Sequence, residues 1–392
     1  MSKMLTMYRM TIETLTPVHI GTGTTLLRDY DFVVFDNRTT HRLNVDRVLD
    51  YLWPEDVDAM SPAEKDKLLR TPPGELLKPE DLRTHPELVL YTMAGVPQVK
   101  GADAGQIREQ IKDAFGRLYI PGSTMKGALR TALARGLAKS EFKGQFPPVN
   151  RERDRKGRLK REVADSLIDH RLFCPKGKDG EKNGANYDLL RALRIADSEP
   201  IGTVPILANV RVFRGPKGQS PIEVEAIPAG AVFQTELILD EYLLQKQAGE
   251  LGWDGTRVNA VRNFWILCRN MAVRQIQKEK EFCAANGMST LAHWYEGCLR
   301  ELKQMKDTLE CLLRIGWAGG WESKTLGSEI LAADEKEFGR LREDFELGKP
   351  PRFKGKWTPS DEFPLSRRLV VNAQGNPVAP MGWVLVRLEK EG

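Results

Sequence analysis

A chain of 392 residues exceeds one small domain and predicts two or three, each burying its own core. With 41% hydrophobic residues and no apolar run near the roughly 20 residues of a membrane span, composition argues against an integral helical membrane protein. The alternating start MSKMLTMYRMTIETL lacks a signal-peptide core, so the expected location is the cytoplasm.

The net charge of +5 is localised. RERDRKGRLKR, residues 151–161, carries seven basic and two acidic residues, so the rest of the chain sums to zero. Such an arm fits either a nucleic-acid contact or a solvated, disordered insertion.

In chain order, MYRMTIETLT (7–16) alternates Tyr8, Met10 and Ile12 with Arg9, Thr11 and Glu13, the period of a half-buried strand. PVHIGTGTTL follows as a Pro- and Gly-punctuated loop, and YDFVVFDN as a second strand. NVDRVLDYLW predicts a short helix capped by Asn44, and Pro54 to Pro86 a polar stretch with helical pieces. In YIPGSTMKGALRTALAR, Met125, Ala128, Leu129, Ala132, Leu133 and Leu137 recur at helical spacing and form one buried face.

Residues 143–184 are rich in charge, Gly and Pro and predict a long, mobile excursion. YDLLRALRIADSEP predicts a helix and a short strand, VPILANVRVFR with IEVEAIPAGAVFQTELIL a glycine-turned hairpin, and 256–285 and 289–314 two long helices. The glycine-rich IGWAGGWESKTLG, a charged linker and the strand GWVLVRLEK complete the chain. This order lacks the regular βαβα alternation of a parallel sheet. It predicts two antiparallel sheets with helices on one face and a boundary near Ser198–Thr203.

Five cysteines, 174, 268, 283, 298 and 311, are an odd number without zinc-ligand spacing; reduced, mostly buried thiols are expected and no metal site.

Three glycine-rich loops could hold an anion. The helix start at Gly122 offers free N–H groups, Ser123 or Thr124 as cap, and Lys126 and Arg130 on its flank; a well-capped surface helix explains it equally. Its spacing is not the G-x4-G-K-[ST] of a phosphate loop, which rejects nucleotide hydrolysis there. The second loop places His19 before Gly21 and Gly23, where a polymer backbone could approach. The third sets Gly316, Gly319, Gly320 and Gly327 among Arg314, Trp317, Trp321 and Lys324, the mixture that base stacking and phosphate contacts need, or a connection whose tryptophans pack inward.

Together, LTPVHIGTG, YIPGSTMKGALRTAL, LRIADSEP, GWAGGWESKTLG and SRRLVV…PMGWVLVRL resemble the RAMP superfamily of CRISPR-associated proteins. More narrowly they resemble the fifth, guide-capping subunit of type III-A Csm effector complexes. The resemblance implies an α+β fold of two tandem ferredoxin-like domains, 1–200 with a basic insertion near 143–184 and 201–392 with the helical segment 256–314 and the loop 316–327. It implies no cofactor and no catalysis, a role capping the 3′ side of CRISPR RNA and assisting its maturation, and a neighbouring RAMP backbone subunit as partner, with target RNA and host nucleases beyond. Its RNA-contact residues would be Gly122, Ser123, Lys126 and Arg130, then Gly319 and Gly320, with His19, Gly21, Gly23, Arg314 and Lys324 as further candidates. Asp29, Asp31 and Asp36, near the His19 loop, keep the target-cleaving aspartate of related backbone subunits open. A second reading is a metal-independent endoribonuclease with His19 as acid or base and Lys126 stabilising charge. A third is a protein-docking cap built on the edge strands and the two long helices near 256–314.

Overall fold

A computed structural model describes residues 4–53, 60–98, 105–176, 184–349, 358–359 and 363–391. Its strands are β1 (Leu5–Thr14), β2 (Gly21–Leu27), β3 (Phe32–Val33), β4 (Thr39–Leu43), β5 (Val89–Ala94), β6 (Gln106–Gln110), β7 (Leu193–Ile195), β8 (Ile206–Phe213), β9 (Gly218–Ala226), β10 (Val232–Asp240), β11 (Glu310–Arg314), β12 (Arg367–Val371), β13 (Pro377–Ala379) and β14 (Trp383–Lys390). Its helices are α1 (Val45–Leu52), α2 (Pro62–Arg70), α3 (Pro79–Thr84), α4 (Gly122–Phe142), α5 (Ser166–Phe173), α6 (Ala248–Leu251), α7 (Gly255–Arg262), α8 (Phe264–Ala285), α9 (Ser289–Gln304), α10 (Gly327–Ala333) and α11 (Glu335–Asp344). This is a mixed α+β architecture. Among the described residues no helix is long and apolar enough to cross a membrane.

One sheet runs β11-β14-β1-β10-β7, antiparallel throughout. The alternation in β1 buries Tyr8, Met10 and Ile12, and the apolar face of α4 packs in the same core with Phe264, Cys268 and Met271 of α8. The second sheet runs β13-β12-β8-β9-β6-β2, with a single parallel pairing between β6 and β9. A small sheet β3-β4-β5 stands apart with α1, whose predicted cap Asn44 accepts from Arg47 N–H. Strands from both sides of residue 200 share each large sheet: β1 and β7 lie with β10, β11 and β14, and β2 and β6 with β8, β9, β12 and β13.

Several expectations change: the helix expected over 256–285 is split into α7 and α8, the one expected in YDLLRALRIADSEP is replaced by 3-10 turns, and a third, small sheet joins the two expected. The glycine-rich stretch after Ile20 is an exposed edge strand, β2, because its threonines suit a ladder and β6 offers one to pair with. Residues 310–314 form β11, not the end of a helix. Cys311, Leu312 and Leu313 are all buried, and a continuous apolar run carries no periodicity to distinguish strand from helix. Within the excursion from 143, the basic arm is an ordered hairpin bridged at Arg153 and Leu159 and followed by α5. The Gly/Lys-rich run falls largely in 177–183, outside the described residues. All five cysteines are buried and free.

Candidate nucleic-acid interface

Two of the three glycine-rich loops meet. Trp317 N–H donates to the His19 carbonyl at 2.7 Å. Gly316 makes this approach possible: its φ is 69°, and a Cβ would collide with the same carbonyl oxygen. His19 and Trp317 then stand edge to face, centroids 5.9 Å apart.

Trp317 packs against a buried cluster that includes Ala208, Val210, Val224 and Val370 of the second sheet, side chains on one of its faces. Two arginines share that face. Arg108 on β6 is paired in register with Val224, and Arg368 on β12 is two residues before Val370. Their guanidinium groups sit over the Trp317 ring, 4.9 and 5.3 Å from its centroid. Both side chains are exposed and neither has a carboxylate partner among the described residues. Desolvation and the charge of Arg108 lower the Arg368 pKa. Lys324, also exposed, is lowered by lost hydration and by the charges of Arg368 and Arg314. Repelling cations over an aromatic ring, with no carboxylate beside them among the described residues, form a surface that a phosphate backbone with stacked bases would relieve.

His19 itself is buried, and its Nδ1 lies 2.7 Å from the Glu225 carbonyl, which fixes Nδ1–H as donor and leaves Nε2 beside Gly21. Burial is the main cause that lowers its pKa, opposed by the carbonyl bond and reinforced by Arg108 and Lys112. Below about pH 6.5 the unfolded chain takes up a proton that folded His19 refuses, so stability falls as pH drops below that point. Chemical unfolding at pH 5.5 and 7.5 is expected to show a smaller stability difference in His19→Gln than in the parent chain. Glu225, fully buried beneath this loop, accepts from Lys112 Nζ at 2.7 Å, Tyr91 Oη at 2.6 Å and Gln110 N–H at 3.0 Å. Gly23, with φ 94° and open space where a Cβ would stand, continues the exposed strand.

The helix start at Gly122 is organised differently. Neither Ser123 nor Thr124 caps α4; Gly122 N–H donates instead to Asp197 Oδ1 at 2.7 Å, and Ser198 Oγ accepts from Ile120 N–H. The anion at this N-terminus is therefore the protein's own carboxylate, from the LRIADSEP segment. A Cβ at Gly122 would collide with the Ile195 carbonyl oxygen, so the glycine serves close packing against β7. Asp197→Ala is expected to cost about 1 kcal/mol through removal of the cap, and Gly122→Ala about 1–3 kcal/mol through overpacking, both readable as urea-midpoint shifts. Lys126 is half-buried and its pKa is lowered by desolvation. Arg130 bonds Asp169 at 2.7 Å and Asp188 at 2.9 Å and lies 3.9 Å over the Phe173 ring. Burial opposes its charge, but those carboxylates raise its pKa.

Arg314 is buried too, donating to the Met381 and Ala318 carbonyls. It fixes the third loop from inside. Gly319 is buried, where a Cβ would meet Ser323; Gly320, with φ 73°, is exposed with open space beside it. In the basic hairpin Arg151 binds Glu337 and Asp344, Arg158 binds Asp154, and Lys160 binds Glu152, so much of its charge is internally matched.

The surface thus comprises Arg108, Trp317, Lys324 and Arg368, flanked by Gly21, Gly23 and Gly320. Sequence reasoning missed Arg108 and Arg368: QIREQ carries no motif, and SRRLVV enters only through the family resemblance. It also missed Asp197, which comes 75 residues after the glycine it binds.

The RAMP superfamily profile matches residues 11–321. A Csm5 protein of the CRISPR system of Streptococcus thermophilus is 34% identical over 112 residues, 26% of this chain and 24% of that protein. Csm5 of Methanocaldococcus jannaschii is 24% identical over 287 residues, 69% of this chain and 62% of that protein. The chain thus matches less than two thirds of the length of either relative. Among solved structures, a chain of a cryo-EM Csm–crRNA–target RNA ternary complex from a type III-A CRISPR-Cas system superposes with TM-score 0.70 at 26% identity, covering 97% of this chain and 100% of that one. The crystal structure of T. onnurineus Csm5 gives TM-score 0.60 at 25% identity, covering 95% and 99%. With the profile spanning most of the sequence and the fold shared end to end, the chain belongs to the RAMP superfamily.

Proposed function

We propose that the chain is a non-catalytic, RNA-binding subunit of a type III-A Csm effector complex, capping the 3′ side of the CRISPR RNA and assisting its maturation beside a RAMP backbone subunit. The observation that carries this reading is the pair of arginines over Trp317, unmatched by any carboxylate among the described residues and set where two glycine-rich loops expose backbone. Contacts of this kind read phosphate and base faces, which leaves a guide's sequence free for pairing. Likeness to Csm5 and to a chain of the Csm–crRNA–target RNA assembly supports it.

With the added edge strand β11 and the insertions set aside, the order β1-α4-β7-β10-α8-β14 follows a β-α-β-β-α-β pattern, which supports reading the first sheet as ferredoxin-like. The second sheet, β13-β12-β8-β9-β6-β2, would carry the other unit of the proposed tandem arrangement, with strands drawn from both sides of residue 200. The endoribonuclease alternative is disfavoured by His19, whose buried, carbonyl-bonded ring is shielded from bulk water. Incubation of the purified chain with repeat RNA in EDTA is expected to leave the RNA intact.

Reconstituting the complex with and without this chain, then probing the guide with exonucleases, tests the capping role. The 3′ end is expected to become sensitive when the chain is omitted while the 5′ end stays protected. Equal protection in both preparations overturns the assignment.

A further inference from the structure

Next to the arginine–tryptophan surface lies a cavity of about 410 Å³, walled by α4, α5, α10 and α11. Its size falls within the roughly 300–1,000 Å³ of small-ligand sites. The walls are apolar and partly aromatic: Phe173, Ile330, Leu341 and Phe345 are buried, and Trp321 is half-buried. Charged side chains also line it: Arg130, Arg161, Asp165, Asp169 and Lys324. Lys324 forms part of the lining, has no carboxylate partner among the described residues, and is close enough to Arg368 to be depressed by its charge. Lys324 therefore belongs both to the cavity lining and to the cationic group that includes Arg368. Asp165 in the lining supplies hydrogen-bond acceptors.

An apolar protein side chain entering here would leave Lys324 unmatched. A nucleotide matches both parts, since a base has an apolar π-face and carries a phosphate at a short, fixed distance. We propose that the cavity receives one unstacked nucleotide unit of the bound strand, its base against the aromatic wall, its phosphate at Lys324, and an exocyclic amino group within reach of Asp165. This rests on the RNA-binding reading above and adds to it a base-holding subsite off the main track.

The test uses RNA oligonucleotides in which a single abasic residue is walked inward from the 3′ end, with binding read by fluorescence anisotropy. One position is expected to lose about tenfold in affinity, the contribution of one stacked base, while its neighbours lose far less. Ala134→Phe, which fills the cavity from α4, is expected to abolish that positional difference while retaining the rest of the binding. The abasic series on the parent chain needs no variant, so a folding failure of Ala134→Phe leaves it decisive. AMP titrated against the parent chain and Ala134→Phe separates the sources: saturable binding that disappears in the variant, without any abasic effect, supports the nucleotide site but assigns it to a free nucleotide. If RNA binds but no abasic position stands out and AMP does not bind, the cavity proposal falls and the RNA-binding reading survives. If no oligonucleotide binds at all, both fall. Loss of subunit assembly in Ala134→Phe with RNA binding unchanged would overturn the proposal in favour of a protein partner.

Discussion

Arg108→Ala combined with Arg368→Ala is expected to weaken binding of single-stranded RNA by about tenfold for each guanidinium removed, since a hydrogen bond to a charged partner contributes roughly 1.5–3 kcal/mol. The two side chains flank one indole, are exposed, and have no carboxylate to release first among the described residues, so their full charge is available to phosphate. The diagnostic is the salt dependence. The slope of log affinity against log salt is expected to fall by about 0.7 for each phosphate that is no longer neutralised. Trp317→Leu separates stacking from charge: it is expected to lower affinity with little change in slope. Arg130→Ala is the contrasting control, because its guanidinium is already committed to Asp169 and Asp188; it is expected to lower stability while leaving the RNA salt slope unchanged. An unaltered slope in the Arg108/Arg368 double variant would falsify the surface.

Arg135→Met is expected to destabilise the fold by about 3–5 kcal/mol, because it strands buried charge. Arg135 on α4 is 3% exposed and donates to the Thr325 carbonyl at 2.9 Å and to Glu322 at 3.4 Å, with Glu329 at 3.7 Å. Glu322 is in turn held by Lys278 of α8 at 2.9 Å and by Ser328 at 2.7 Å. Burial works against the Glu322 carboxylate, but these partners hold its pKa below the usual range. Removing the arginine leaves two carboxylates without the guanidinium they share. Urea unfolding should show a lowered midpoint, and adding Glu322→Gln should recover part of the loss, a coupling that a double-mutant cycle measures directly. The network also clamps the segment bearing Lys324 to α4 and α8. The same variant should therefore weaken RNA binding more than its distance from Trp317 suggests. A midpoint equal to that of the parent chain would mean that the buried network contributes nothing to stability.

Much of the framework was legible because it obeys local periodicity. Alternation announced β1, helical spacing announced the buried face of α4, and Asn44 announced the cap of α1. Where local rules compete, sequence alone misleads: Cys311, Leu312 and Leu313 are buried on every side, and such a run looks helical or extended until β14 pairs with it. The cap of α4 shows the same limit at a functional motif. Ser123 and Thr124 have the right chemistry at the right place, yet Asp197, brought in by β7, takes the N-terminus because a carboxylate suits its positive end better than a hydroxyl.

The amino-acid sequence by itself determined which segments carry glycine, aromatic and basic residues, and so which loops could meet an RNA backbone. Only the tertiary structure decided which cations are free to do so. Arg130 and Arg314 are turned inward to carboxylates and carbonyls, while Arg108 and Arg368, on strands separated by two others, converge over Trp317 with no counterion among the described residues. The reason is physical: a charge is silenced by the partner it finds across space, and that partner is chosen by strand order and packing rather than by neighbours in the chain.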